Sequence, residues 1–318
     1  MEHGAATFDY HRLYRSWSGY RWWKPLLTGL LGLAFYIFLI VLLFLAGIIV
    51  VLQGDEGLAS YGDRLATVDL SDPLVFAFSM VLIILMIPAL ALAALITGPR
   101  PIGLLSSVHA RIRWGWLGRC LVAAVAVYAL SFGISFLLPP AFSGGTAGSG
   151  LSVDDRTALL VGMTLLLVPF QAAAEEYVFR GYLAQTIGSW LRHPAFAILI
   201  PVPFFVLGHG YDPLGQADVA FFAVFAGWIT WRTGGLEAAI AAHAVNNCLI
   251  FLLGAYGLVD VNSQEGSATA LVLSVATLAA FAAVVLRLSA GLERVRTTAP
   301  APMKPPAPPA PLPAGHLP

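Results

Sequence analysis

Charge is scarce in this chain. Only 11% of its 318 residues are charged, 58% are hydrophobic and the mean hydropathy is +0.81, whereas a soluble domain carries about a quarter charged residues. That composition excludes an ordinary soluble globular domain and makes lipid the main solvent. Basic and acidic residues balance at 17 each, so the electrostatic footprint of a nucleic-acid partner is missing. Cysteine is nearly absent: Cys120 and Cys248 have no CxxC spacing, which argues against a disulfide or a cysteine zinc site. The first 25 residues hold no cleavable apolar core, so no signal peptide is expected. The HExxH helix of common zinc peptidases is lacking as well.

Long apolar runs are what the chain has. A span needs roughly 20 apolar residues, and stretches near 26–52, 74–97, 117–138, 157–179, 195–209, 217–232, 235–256 and 267–287 qualify. The fifth is short and holds Pro201 and Pro203. The expected fold is therefore an all-α polytopic membrane protein of about eight transmembrane helices, with both termini on one side. Under that topology, 15 of the 17 basic residues share the side of the termini, and only Arg64 and Arg156 lie opposite. The opposite loops collect Asp55, Glu56, Asp63, Asp69, Asp72, Asp154 and Asp155. The positive-inside rule then makes both termini cytoplasmic and predicts a multi-pass protein of the cell membrane.

The expected organisation is an interfacial cytoplasmic N-terminus (1–25), helices one to three with their loops (26–150), a core carrying the chemistry (151–256), a last helix (257–290) and a disordered proline-rich cytoplasmic tail (291–318). Segment 99–116 reads as a basic loop that either lies on the membrane surface or simply connects two spans.

An ionisable side chain inside a membrane segment is expensive and points to function. Three short motifs place such residues in order: Glu175-Glu176-x-x-x-Arg180, Phe205-x-x-x-His209 and His243-x-x-Asn246-Asn247. Two acids and two imidazoles are equipment for splitting an amide with water. Adjacent helical residues point about 100° apart, so one glutamate is expected to face the reaction centre and the other to support it. Glu176 and Arg180 can pair at i, i+4. An ion pair fixing a helix end would explain that pair alone, but it leaves Glu175 unanswered, and an unpaired buried charge is costly. His209 follows Phe205 by one turn, although a straight fifth helix would carry it roughly 20 Å deep, beyond the other motifs. His243 and Asn247 share a face and offer N–H donors suited to an oxyanion. Asn246 could substitute for Asn247 or simply hydrogen-bond between helices. Glu175, His209 and His243 would also make a zinc set of the His2Glu type, so zinc is compatible with these residues without being required.

EEYVFRG, FVLGH and HAVNN together resemble the CPBP family of intramembrane proteases, also called the CAAX-protease and bacteriocin-processing, or Abi, family. The resemblance spans about residues 157–256. It implies an eight-helix bundle with an intramembrane site open toward the cytoplasm. By position, it implies that Glu175 with His209 activates water, that His243 and Asn247 hold the oxyanion, and that Glu176 and Arg180 orient the site. It favours a metal-free glutamate mechanism and a membrane-associated or lipidated, CAAX-like, peptide substrate. Two other classes compete: a non-catalytic membrane protein that binds a peptide or partner, as in bacteriocin self-immunity, and a proton-coupled transporter. The transporter is disfavoured because the motifs cluster in one half of the chain without an inverted repeat. Oligomeric state is not legible in the sequence.

Overall fold

The computed structural model describes residues 6–54, 57–137, 148 and 150–298. Asp55, Glu56 and the tail from residue 299 onward lie outside the described residues. Among the described residues, seven helical stretches are long and apolar enough to cross a membrane, and a shorter apolar one, Pro194–Leu207, joins them. The protein is an all-α polytopic membrane protein.

The first span is α1 (Lys24–Gln53), and a short amphipathic α2 (Leu58–Thr67) follows it. The second span breaks at Leu85 into α3 (Pro73–Ile84) and α4 (Met86–Thr97), and the third is α5 (Trp114–Leu137). The fourth runs from α6 (Thr157–Glu176) through a π-helical stretch, Tyr177–Leu183, into α7 (Ala184–Trp190). Two short helices follow, α8 (Pro194–Leu199) and α9 (Pro201–Leu207), and then α10 (Pro213–Thr233), α11 (Glu237–Ala255) and α12 (Ala268–Leu288).

Local chemistry sets several of these boundaries. Proline occupies the first helical position of α3, α8, α9 and α10, where its missing N–H is not needed. Asp72, Asp212 and Ser267 cap α3, α10 and α12 by accepting from backbone N–H groups. Pro201 divides the fifth stretch, as a proline inside an apolar run does, so α9 ends at Leu207 and His209 lies past its end.

The helices bury little of themselves: only 6% of the most apolar window of α1 is covered, so lipid must solvate the rest. The main core runs between α5, α10, α11 and α12, around Ala226, Ile229, Ala238, Ala242 and Phe281. Small side chains there let the helices approach closely.

Strand β1 (Ala6–Asp9) pairs antiparallel with β2 (Val295–Thr298), with Ala6 opposite Thr298. The two described ends thus meet at one end of the bundle. Order therefore continues to residue 298, past the start of the tail expected to be disordered from 291. The reason is local, since Val295, Thr297 and Thr298 favour strands and the prolines begin only at Pro300.

Segment 99–116 is more than a surface connection. Leu104, Leu105, Ser106, Ser107 and Val108 are buried, and the Leu236 and Val108 amides bond to the Ser106 and Gly234 carbonyls. Tyr10 Oη donates to the Leu105 carbonyl at 2.6 Å and Gln185 Nε2 to the Leu104 carbonyl at 2.8 Å. The segment forms a floor between α7 and the start of α11, closed from below by the N-terminal 3-10 turn Tyr10–Ser16.

Candidate active site

The polar centre sits where α6 faces α11. Two irregularities bracket the glutamates: Pro169 lies inside α6, and the helix widens into its π-helical stretch directly after Glu176. Such single π turns accumulate at functional sites. Arg180 projects from that stretch and is 3% exposed, while Glu176 is fully buried.

His243 is the hub. Its Nδ1 donates to Glu176 Oε1 at 2.8 Å, and its Nε2 faces Glu175 Oε2 at 3.4 Å. The adjacent glutamates thus approach one imidazole from its two nitrogens. Their different directions serve the same ring, Glu176 on its Nδ1 side and Glu175 on its Nε2 side. Arg180 Nη1 donates to the same Glu176 Oε1 at 2.9 Å, and Nη2 donates to the Ala223 carbonyl at 3.2 Å. The guanidinium lies 4.4 Å from the Phe205 ring centroid and 5.7 Å from that of Phe222, an arrangement that favours a desolvated cation. Phe222 also stands edge-on to His243 at 4.9 Å.

Two carboxylate oxygens, Glu175 Oε2 and Glu176 Oε2, are buried without a hydrogen-bond partner among the described residues. Unsatisfied buried acceptors are uncommon and call for an explanation. A water or a substrate group between Glu175 and His243 would supply one.

The amides extend this centre by one turn. Asn247 Nδ2 donates to Gln171 Oε1 at 3.2 Å, and Asn246 Nδ2 donates to Asn247 Oδ1 at 3.2 Å. The pattern of spans and motifs missed Gln171, whose signal was a single buried amide one turn before Glu175 in an apolar run.

His209 stands apart. Its Nδ1 donates to the Phe205 carbonyl at 2.8 Å, which leaves Nε2 as the basic nitrogen. The Phe205 ring lies 4.8 Å from the His209 ring and 6.2 Å from that of His243, and Tyr211 stacks on His209 at 6.1 Å. No hydrogen bond or ion pair joins His209 to the glutamates or to His243 among the described residues. The structure therefore brings together Glu175, Glu176, Arg180 and His243, with Asn247 one turn on, while His209 and His243 both pack against the Phe205 ring.

Of the zinc set, Glu175 Oε2 and His243 Nε2 lie 3.4 Å apart and His209 Nδ1 is held by the Phe205 carbonyl; no three His, Cys, Asp or Glu side chains are grouped as metal ligands among the described residues.

A second buried pair was also missed. Glu237 at the start of α11 is fully buried. Its Oε1 accepts from the backbone N–H and Nε of Arg113 at 2.8 and 2.9 Å, and its Oε2 from Nη2 at 2.7 Å. This pair pins the floor segment to α11.

Comparison with known proteins agrees with the motifs. Residues 157–249 match the family described as Type II CAAX prenyl endopeptidase Rce1-like, so the resemblance to the CPBP family holds over that segment. The chain is also similar to the uncharacterized protein YyaK of Bacillus subtilis, at 29% identity over 213 residues, covering 62% of this chain and 66% of that protein. The chain thus spans just under two thirds of that relative's length. No solved structure matches the chain significantly.

Proposed function

We propose that the protein is an intramembrane endopeptidase of the cell membrane, with both termini cytoplasmic, that hydrolyses a peptide bond of a membrane-associated or lipidated protein. The observation that carries this reading is the approach of Glu175 Oε2, buried without a hydrogen bond, to His243 Nε2 at 3.4 Å. The other face of that imidazole is held by Glu176 and Arg180. The match of this segment to a prenyl endopeptidase family supports the reading and suggests a CAAX-like, lipidated C-terminus as substrate.

In this mechanism a water binds between Glu175 and His243. Glu175 takes its proton as the water oxygen bonds to the carbonyl carbon, which is general-base catalysis. The developing oxyanion accepts hydrogen bonds from Asn247 Nδ2 and, when it carries a proton, from His243 Nε2. The C–N bond then breaks as the proton passes from Glu175 to the leaving nitrogen. Glu176 and Arg180 hold the imidazole in plane and do not touch the reacting atoms. Burial of the centre strengthens each of these interactions.

The test is cleavage of a library of farnesylated, palmitoylated and unmodified peptides by the purified protein in liposomes, run in ¹⁸O-water. Hydrolysis by water places one ¹⁸O in the new carboxyl group, and the chelator EDTA leaves the rate unchanged. Binding of peptides without any cleavage would favour the non-catalytic partner-binding reading instead.

A further inference from the structure

Two rungs cross from α6 to α11. Glu175 meets His243, and Gln171 meets Asn247. The number falls by four on one helix as it rises by four on the other, as antiparallel neighbours require. One rung therefore lies a single turn, about 6 Å, from the other along the helix axes. The second rung is built of amides alone and is tied at both ends. Asn247 Nδ2 donates to Gln171 Oε1, and Asn247 Oδ1 accepts from Asn246 Nδ2, both at 3.2 Å.

A primary amide has two N–H donors and one carbonyl oxygen. Gln171 occupies one Nδ2 hydrogen, and Asn246 answers the oxygen. These two bonds fix the amide plane of Asn247 and its N/O orientation, leaving one N–H for another acceptor. Without Gln171 the carboxamide could rotate and present its oxygen, which would repel an oxyanion rather than stabilise it. Gln171 is also 4% exposed within an apolar helix, a position that an aliphatic side chain would otherwise suit.

We infer that Gln171 and Asn246 clamp the Asn247 carboxamide so that its remaining N–H faces the carbonyl oxygen of the scissile peptide, making Gln171 a positioning residue of this site. The inference rests on the peptidase reading above, and its experiment separates the two.

The peptide cleaved fastest in the library is assayed with wild type, Gln171→Met, Asn246→Ala, Asn247→Ala and the double variant Gln171→Met/Asn247→Ala. Methionine keeps the shape of glutamine and removes the acceptor. Loss of a true oxyanion donor costs about 10²–10³ in kcat, so loosening it through Gln171→Met is expected to cost roughly 10–100-fold in kcat, with KM within about twofold. In the Asn247→Ala background the same change is expected to cost nothing further, because residues acting through one group are not additive. Asn246→Ala reads the clamp from its other end and lowers kcat less, which keeps the inference testable should Gln171→Met fail to fold. An unchanged kcat in both single variants would overturn the clamp while leaving the peptidase intact. So would a Gln171→Met loss that multiplies with that of Asn247→Ala. If wild type cleaves no peptide in the library, the peptidase reading falls and the clamp falls with it.

Discussion

Among the described residues there are two buried glutamate–arginine pairs, and they are built differently. At the floor, both oxygens of Glu237 are answered by Arg113 through its backbone N–H, Nε and Nη2. In the centre, Glu176 spends one oxygen on both Arg180 and His243 and leaves the other bare, and Glu175 beside it keeps a bare oxygen as well. The first is a closed pair with nothing left to react. The second is an open network in which both glutamates keep an unanswered oxygen and one of these, Glu175 Oε2, faces the imidazole. Burial and charge are nearly the same in the two places, so they do not by themselves mark a reactive acid. The count of unanswered oxygens does.

The largest effect expected from this contrast is on stability. Arg113→Ala leaves Glu237 buried and uncompensated, and removing one partner of a buried pair costs about 3–5 kcal/mol. Thermal unfolding in detergent checks it. The fraction that stays folded should keep its turnover, since Arg113 touches none of Glu175, Glu176 or His243. Replacing both members of the pair with aliphatic residues should recover most of the loss.

A smaller effect is expected at His209. Its Nδ1 is hydrogen-bonded to the Phe205 carbonyl and not to the hub, so His209→Ala should lower kcat by less than a general base is worth, roughly tenfold against 10²–10⁴. Steady-state kinetics on the same peptide decides this. A loss as deep as that of Glu175→Gln would mean that His209 moves into the centre when substrate binds.

The smallest effect belongs to the N-terminal turn. His11 is 3% exposed, its Nε2 donates to the Arg192 carbonyl at 3.0 Å, and its Nδ1 is buried without a partner. Burial holds its pKa below the ordinary histidine value. A histidine with a depressed folded pKa contributes stability that is present above its unfolded value, about 6.5. That contribution is lost as pH falls through the folded value. The protection factors of the amides across residues 10–16, which already allow for slower intrinsic exchange in acid, should therefore fall on acidification, and His11→Gln should flatten that dependence.

Much of the centre was legible because its chemistry is local to short motifs. Glu176 and Arg180 declared their pairing by an i, i+4 spacing, as His243 and Asn247 declared a shared face. The apolar runs gave the spans, and Pro201 announced the weak fifth one. What stayed hidden depends on tertiary partners. Arg113 and Glu237 lie 124 residues apart, and Arg113 alone reads as an ordinary interfacial charge. Gln171 reads as a lone amide until α11 is laid beside α6. The floor built from residues 102–108 was hidden because its burial comes from α7, α11 and the N-terminal turn, none of them close in sequence. The direction of His209 was equally hidden, since it follows from where α9 ends rather than from its spacing to Phe205.

The most direct test exchanges one glutamate for glutamine in each place, Glu175→Gln and Glu237→Gln, and measures turnover per folded molecule beside the unfolding temperature of both. The account predicts that Glu175→Gln abolishes cleavage while the unfolding temperature stays near that of wild type, and that Glu237→Gln lowers the unfolding temperature while the folded fraction still cleaves. If Glu175→Gln destabilised the protein as Glu237→Gln does, and whatever remained folded cleaved at the wild-type rate, Glu175 would be structural glue and the open network would not be the seat of the chemistry.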